Sequence, residues 1–149
     1  RRVTLAKWEA ARDRLQRRQA QGDLLDAPIL CADTTVALGS QILGKPADPA
    51  DAARILRLLS GQTHRVLTAV VVDGQMLVSD SAVTWRELTD DEILRYVASG
   101  EPMGKAGAYA IQSQAAAWMS RMEGSYSAVM GLPLFETAEL LRPLGWNFG

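Results

Sequence analysis

The feature that most constrains this chain is Asp73-Gly74, set between two runs of strand-forming residues, Arg65 to Val72 and Gln75 to Trp85. A two-residue hairpin loop needs positive φ at both central positions, and Asp-Gly tolerates that conformation better than almost any other pair. The pair therefore predicts a β-hairpin of unusual length. Any fold for the chain must be built around it.

The flanking segments carry their own punctuation. Residues 2–20 predict a helix with Val3, Ala6, Ala10 and Leu15 near one face. Asp23 to Asp26 is a polar break. Pro28 to Leu38 reads as a strand that turns at Gly39-Ser40 into Gln41-Ile42-Leu43. Asp48-Pro49-Ala50-Asp51 is a helix start, with Asp48 as cap, Pro49 supplying the φ of a first helical residue and Asp51 at the positive end of the dipole. That helix runs through Ile55, Leu56 and Leu59 and stops at Ser60-Gly61. Thr89 to Glu92 is a capping box opening a helix through Ile93, Tyr96 and Val97 to Gly100. Ala108 to Gln112 and Ala115 to Met122 read as short strands, and Pro133 to Leu144 as a helix carrying Leu134, Thr137, Ala138, Leu141 and Leu144. No repeat, low-complexity tract or linker divides the 149 residues. Helices interleaved with strands and hairpins predict a single domain over 1–149, α/β or α+β, with a mixed sheet and flanking helices.

Composition mainly excludes. A net charge of −1 advertises no polyanionic partner. One local bias exists: within residues 1–20 seven basic side chains (Arg1, Arg2, Lys7, Arg12, Arg14, Arg17, Arg18) accompany two acidic ones (Glu9, Asp13). A solvated helix face accounts for this better than a nucleic-acid stripe, so nucleic acid is not the expected partner. The lone cysteine, Cys31, cannot form a disulfide within the chain, which suits a reducing cytoplasm; it reads as a small buried residue. His64 is the only histidine, which excludes the usual Cys/His zinc sites and any Ser-His or Cys-His mechanism not built on it. It reads as a hydrogen-bonded histidine entering a strand. The apolar stretch Val66 to Val72 is too short to span a bilayer, and no signal peptide opens the chain, so no membrane is expected. Trp8, Trp85, Trp118 and Trp146 fall without a period and read as core and rim packing. The chain enters a helical pattern directly at Arg1-Arg2-Val3, without an initiator methionine, a cap or a preceding strand, and so reads as one lacking its beginning.

Three places could carry chemistry. Asp33 lies in an apolar strand, where an unpaired carboxylate costs several kcal/mol unless it is hydrogen-bonded, ion-paired or metal-bound. A strand-end aspartate bonded to local backbone and a catalytic carboxylate account for it equally well. Gly44-Lys45-Pro46 offers a mobile cation on a loop whose glycine allows close approach, and Lys105 between Gly104 and Ala106-Gly107 invites the same reading. Both suit a phosphate, although most loop lysines are merely solvated. Gln112 can donate and accept, as the polar edge of a base requires.

Together and in order, these pieces resemble the Maf family of nucleoside triphosphate pyrophosphatases. The resemblance rests on Cys31-Ala32-Asp33-Thr34, Ile42-Leu43-Gly44-Lys45-Pro46, Leu59-Ser60-Gly61-Gln62-Thr63-His64-Arg65-Val66 and Gly100-Glu101-Pro102. It continues through Lys105 to Gln112, Glu123-Gly124-Ser125-Tyr126 and Gly131-Leu132-Pro133-Leu134. It implies an elongated, inosine triphosphatase-like α/β fold with a cleft between two lobes. It also implies hydrolysis of dTTP or UTP, and modified pyrimidine nucleotides with them, to the monophosphate and pyrophosphate in the cytoplasm, with Mg2+ or Mn2+. By the same resemblance Asp33 is the proton acceptor and lies at the metal, Lys7 and Lys45 bind phosphate, and Thr34 and Gln112 set base preference. The family's opening strand and Ser-x-Ser-Pro-Arg-Arg loop have no counterpart before Arg1, so this chain is expected to lack part of the phosphate grip and to show little activity. A homodimer is compatible with the family. The readings from other classes are a non-catalytic regulator of cell division and septum formation, and nucleic-acid binding through the basic first helix.

Overall fold

The computed structural model describes residues 2–20 and 27–148. The predicted hairpin is its centre. β3 (Thr63–Val72) and β4 (Gln75–Trp85) pair antiparallel from Thr63↔Thr84 to Val72↔Gln75. The turn between them has Asp73 at φ 45° and Gly74 at φ 82°, the two positive values a tight I′ loop needs. β1 (Leu30–Leu38) lies on the other side of β3, in register Asp33↔Ala69 and Thr34↔Thr68. β2 (Gln41–Leu43) pairs with β1 only from Val36 to Leu38, and β5 (Met119–Glu123) closes the far edge against β4. The order is β2-β1-β3-β4-β5.

The α+β class matches the expectation, but the sheet is not mixed: all four described strand pairs are antiparallel. The short connections through Gly39-Ser40 and Asp73-Gly74 allow no parallel crossover, which needs a dozen or more residues.

Strand side chains alternate, so each face has its own cover. One face carries Val36, Val66, Val83 and Trp85, and here the main core forms against α2 (Pro49–Leu59) and α3 (Asp90–Ala98). Both helices begin as their sequences require. The Asp48 carboxylate accepts from Asp51 N at 2.8 Å, and Thr89 and Glu92 form the reciprocal capping box. Ile55, Leu56 and Leu59 of α2 are at most 2% exposed. At about 1.5–3 kcal/mol each, their burial alone outweighs the helix's modest intrinsic propensity. Further along the same face, α4 (Tyr126–Met130) and α5 (Leu134–Leu141) pack on β3 and β4. The opposite face is covered by α1 (Arg2–Gln19).

Several expectations are corrected by packing. α1 turns Thr4 and Trp8 inward, not Val3, Ala6 and Ala10; Val3 is 56% exposed. The Trp8 ring lies against Gly74, where an added Cβ would stand 3.4 Å away, so the hairpin turn selects the face. Ala108 to Gln112 is not a strand. Ala106–Ala108 forms a 3-10 turn with Gly107 at φ 72° and Ala108 at φ 59°, values that no strand contains. Ala115 to Met122 divides into a 3-10 turn over Gln114–Trp118, burying Ala115 and Trp118 three residues apart, and then β5. The tail helix is shorter than 133–144: α5 gives way to a 3-10 turn at Arg142–Leu144, and Leu134 and Leu144 face outward. Cys31 is half-buried rather than buried. Trp85 and Trp118 are core, Trp8 is nearly so, and Trp146 is exposed, as core and rim packing requires. The polar break at 23–26 lies outside the described residues. Among the described residues no helix is long and apolar enough to cross a membrane.

Candidate active site

β1 places the residues of interest, and its alternation divides them. Asp33 points to the α1 side and forms an ion pair with Lys7, one residue before the buried Trp8. The carboxylate that looked costly in an apolar strand is therefore compensated. Its side chain is 27% exposed, so it remains open to solvent and substrate. Thr4, Thr35 and Leu67 line the hollow beside it.

Thr34 points to the other side. Its hydroxyl lies 2.9 Å from that of Thr68, its pairing partner on β3, and Thr68 donates to Ala128 O of α4 at 2.7 Å. Thr34 lines a pocket of about 210 Å3 with Lys105, Tyr109, Gln112, Val129 and Met130. That is below the roughly 300–1,000 Å3 of sites for drug-sized ligands, and suits a single ring better than a whole nucleotide.

The pocket wall from Lys105 to Gln112 is held by long-range contacts. Gly107 packs so tightly on Val36 that an added Cβ would meet its Cγ2 at 2.9 Å. Gly107 N donates to Gly44 O at 3.1 Å, which ties the Gly44-Lys45-Pro46 loop to the Lys105 turn. The Tyr109 hydroxyl is 2.8 Å from His64 Nε2, and Ala110 N donates to the Tyr96 hydroxyl at 3.2 Å. His64 is 1% exposed, and burial lowers its pKa to about 4, so it is a neutral strut at neutral pH. Burial also raises the Tyr109 phenol, which stays protonated.

The lysines differ in freedom. Lys105 Nζ donates to Glu101 O at 2.7 Å, leaving two protons for a ligand. Lys45 is exposed and enters no ion pair or hydrogen bond with the described residues. The structure thus joins Lys7 to Asp33, groups Thr34 with Gln112 and Lys105, and places Lys45 on the loop beside the second group. No hydrogen bond or ion pair joins Lys45 to Asp33.

A larger hollow, about 380 Å3, lies elsewhere, between α1, the hairpin turn and Trp146. It holds none of these residues; converging polar groups, not volume, mark the site at β1. Thr68 was missed in sequence because one threonine inside Val66 to Val72 reads as ordinary strand filling. The α4 carbonyl it bonds belongs to a five-residue helix with no periodic pattern to betray it.

Residues 1–144 match the profile of the Maf-like proteins. The chain belongs to the Maf family. Among curated relatives, the dTTP/UTP pyrophosphatase of Cupriavidus metallidurans is 60% identical over 151 residues, spanning 99% of this chain and 74% of the relative. That of Cupriavidus pinatubonensis is 59% identical, with 99% and 74% covered. That of Albidiferax ferrireducens is 53% identical over 150 residues, with 98% and 73% covered.

Within this Maf chain the described residues bring together no group of three His, Cys, Asp or Glu side chains that could hold a metal ion. At the candidate site on β1 the carboxylate is that of Asp33, partly exposed and paired with Lys7. A lone carboxylate of this kind would suit a hard divalent cation that keeps several waters and takes its other oxygen ligands from elsewhere. It does not form a dedicated protein cage.

Proposed function

We propose that this protein is a nucleoside triphosphate pyrophosphatase acting on dTTP and UTP, releasing the monophosphate and pyrophosphate. The observation that carries the reading is the two-sided use of β1: a paired, accessible carboxylate at Asp33 on one face and a small polar pocket at Thr34 and Gln112 on the other. Membership of the Maf family and relatives named for dTTP and UTP support it.

In this reading Thr34 and Gln112 hold the base, while Lys7, Lys45 and Lys105 neutralise phosphate oxygens. Asp33 accepts a proton from the attacking water. The water oxygen bonds to phosphorus, the α–β phosphoanhydride bond breaks, and the electron pair leaves on the departing phosphate oxygen. A divalent cation, Mg2+ or Mn2+, when bound at Asp33, supplies further charge neutralisation at the phosphates. The site needs neither cysteine nor histidine chemistry, consistent with one half-buried thiol and one histidine used as a strut. The lone cysteine and the nucleotide substrate together support a cytoplasmic setting.

The test is incubation of the full-length gene product with dTTP, UTP and Mg2+ or Mn2+, following pyrophosphate. Release that is lost in Asp33→Asn is expected. Absence of release, or unchanged turnover in Asp33→Asn, overturns the reading. A purely regulatory role in cell division would survive Asp33→Asn, so loss of the cellular effect in that variant decides against it.

A further inference from the structure

The direction of one hydrogen-bond chain can be fixed without seeing a proton. Thr68 Oγ1 lies 2.7 Å from Ala128 O, and a carbonyl can only accept, so the single Thr68 proton is on that bond. Ala128 O also accepts from Gly131 N at 3.0 Å, which fills its two lone pairs and leaves no alternative arrangement. Thr68 is 0% exposed, so no solvent molecule competes. The 2.9 Å contact between Thr34 and Thr68 must then be donated by Thr34. What Thr34 presents to the pocket is a lone pair.

Lys105, the cationic group in the same lining, can only donate, and in the proposed reading its two remaining protons serve the phosphates. The Gln112 amide can turn either end toward a ligand, so it adapts to whatever base edge it meets. Gly131 keeps the hydroxyl uncovered: a Cβ there would stand 3.7 Å from Thr34 Oγ1.

We infer that Thr68 is a specificity-determining positioning residue, which holds Thr34 as an obligate acceptor so that the pocket selects bases presenting a ring N–H. Uracil and thymine have one donor on their pairing edge, the imide N3–H, flanked by two carbonyls. That donor meets Thr34, and Gln112 donates to a flanking carbonyl. Cytosine in the same seat sets its N3 lone pair against the Thr34 lone pair, a mispairing that costs affinity even in a half-buried pocket. The inference rests on the pocket being the base site of the proposed pyrophosphatase.

The experiment compares kcat/KM for UTP and CTP in the full-length protein, in Thr68→Val and in Thr68→Ser. The wild type is expected to favour UTP by about 10- to 100-fold. Thr68→Val frees the Thr34 proton to be donated to either base, so the preference falls at least about fivefold, through KM for CTP, with kcat for UTP largely kept. Thr68→Ser restores the acceptor and the preference. If Thr68→Val does not fold, the wild type is given 3-methyl-UTP, which lacks the donor, beside dTTP, whose methyl lies on the other edge; a drop of at least about tenfold confined to 3-methyl-UTP is expected. Equal use of UTP and CTP by the wild type, an unmoved ratio in folded Thr68→Val, or equal use of 3-methyl-UTP overturns the inference alone. No turnover of any triphosphate overturns the pyrophosphatase reading beneath it.

Discussion

Asp33 and Thr34 are neighbours on β1 whose side chains leave the sheet on opposite faces, the carboxylate toward Lys7 on α1 and the hydroxyl toward Thr68 and α4. A strand's two-residue period enforces this separation wherever the backbone is regular. One strand thereby gives both the group that handles the proton and the group that reads the base. The two functions should separate in mutants, because neither side chain touches the other's partners.

Asp33→Asn keeps the shape and removes the proton acceptor. The expected result is a fall in kcat of about 10²- to 10⁴-fold with little change in KM. Steady-state pyrophosphate release checks it; a comparable rise in KM with kcat preserved would place Asp33 in binding instead.

Lys45 is exposed and bonded to no described residue, so Lys45→Ala removes nothing from the folded state. The thermal midpoint should stay unchanged. If the side chain grips phosphate, losing a charge-assisted contact of about 1.5–3 kcal/mol lowers kcat/KM by about 10- to 100-fold, read mainly in KM. Unchanged kinetics would leave Lys45 a solvated loop lysine.

What could be read from the sequence was what is locally determined. Asp73-Gly74, the Asp48 cap and the Thr89–Glu92 box each satisfy a backbone need within four residues, and each formed where expected. The misread segments depend on distant partners. The inward face of α1 follows from Trp8 meeting Gly74, and residues 106–112 follow Val36, Gly44, His64 and Tyr96 rather than their own strand propensity. Asp33 stands out by its cost in an apolar strand and Gln112 by its donor and acceptor pair, but the roles expected of them, as of Lys7 and Thr34, come from the ordered motifs, since nothing local fixes which way their side chains point. Thr68 could not be reached, because its role exists only where β1, β3 and α4 meet.

Gly107 and Gly44 give a controlled pair at one junction. Gly107→Ala places a Cβ 2.9 Å from Val36 at a backbone φ of 72°, so both contact and conformation resist it. A loss of about 1–3 kcal/mol is expected, with a weakened base pocket because the Lys105 to Gln112 wall shifts. Gly44→Ala meets nothing within 4 Å and needs no positive φ, so it should leave the denaturant midpoint unchanged. Equal midpoints for the two variants would show that the Gly107 packing does not hold the wall.

His64 links the fold to pH. Buried beneath the pocket wall, its pKa falls from 6.5 to about 4 because burial opposes the charged form. The unfolded chain binds the proton more readily than the folded one, so the stabilising contribution is complete above the unfolded pKa and is lost as pH falls toward the folded pKa. By about pH 5 the loss should reach about 2 kcal/mol relative to neutral pH. Glu92, lowered to about 2 by its bond to Arg86, loses its contribution only further into acid, between its ordinary value of 4.5 and that figure. The interval from about pH 7 to about pH 5 therefore isolates the histidine. Tyr109→Phe should cost about 1–3 kcal/mol at neutral pH by leaving His64 Nε2 without its partner, while keeping the acid slope. His64→Phe should flatten that slope. Urea unfolding of the three proteins at several pH values measures both effects, and an acid slope that persists undiminished in His64→Phe would assign the pH dependence to another group.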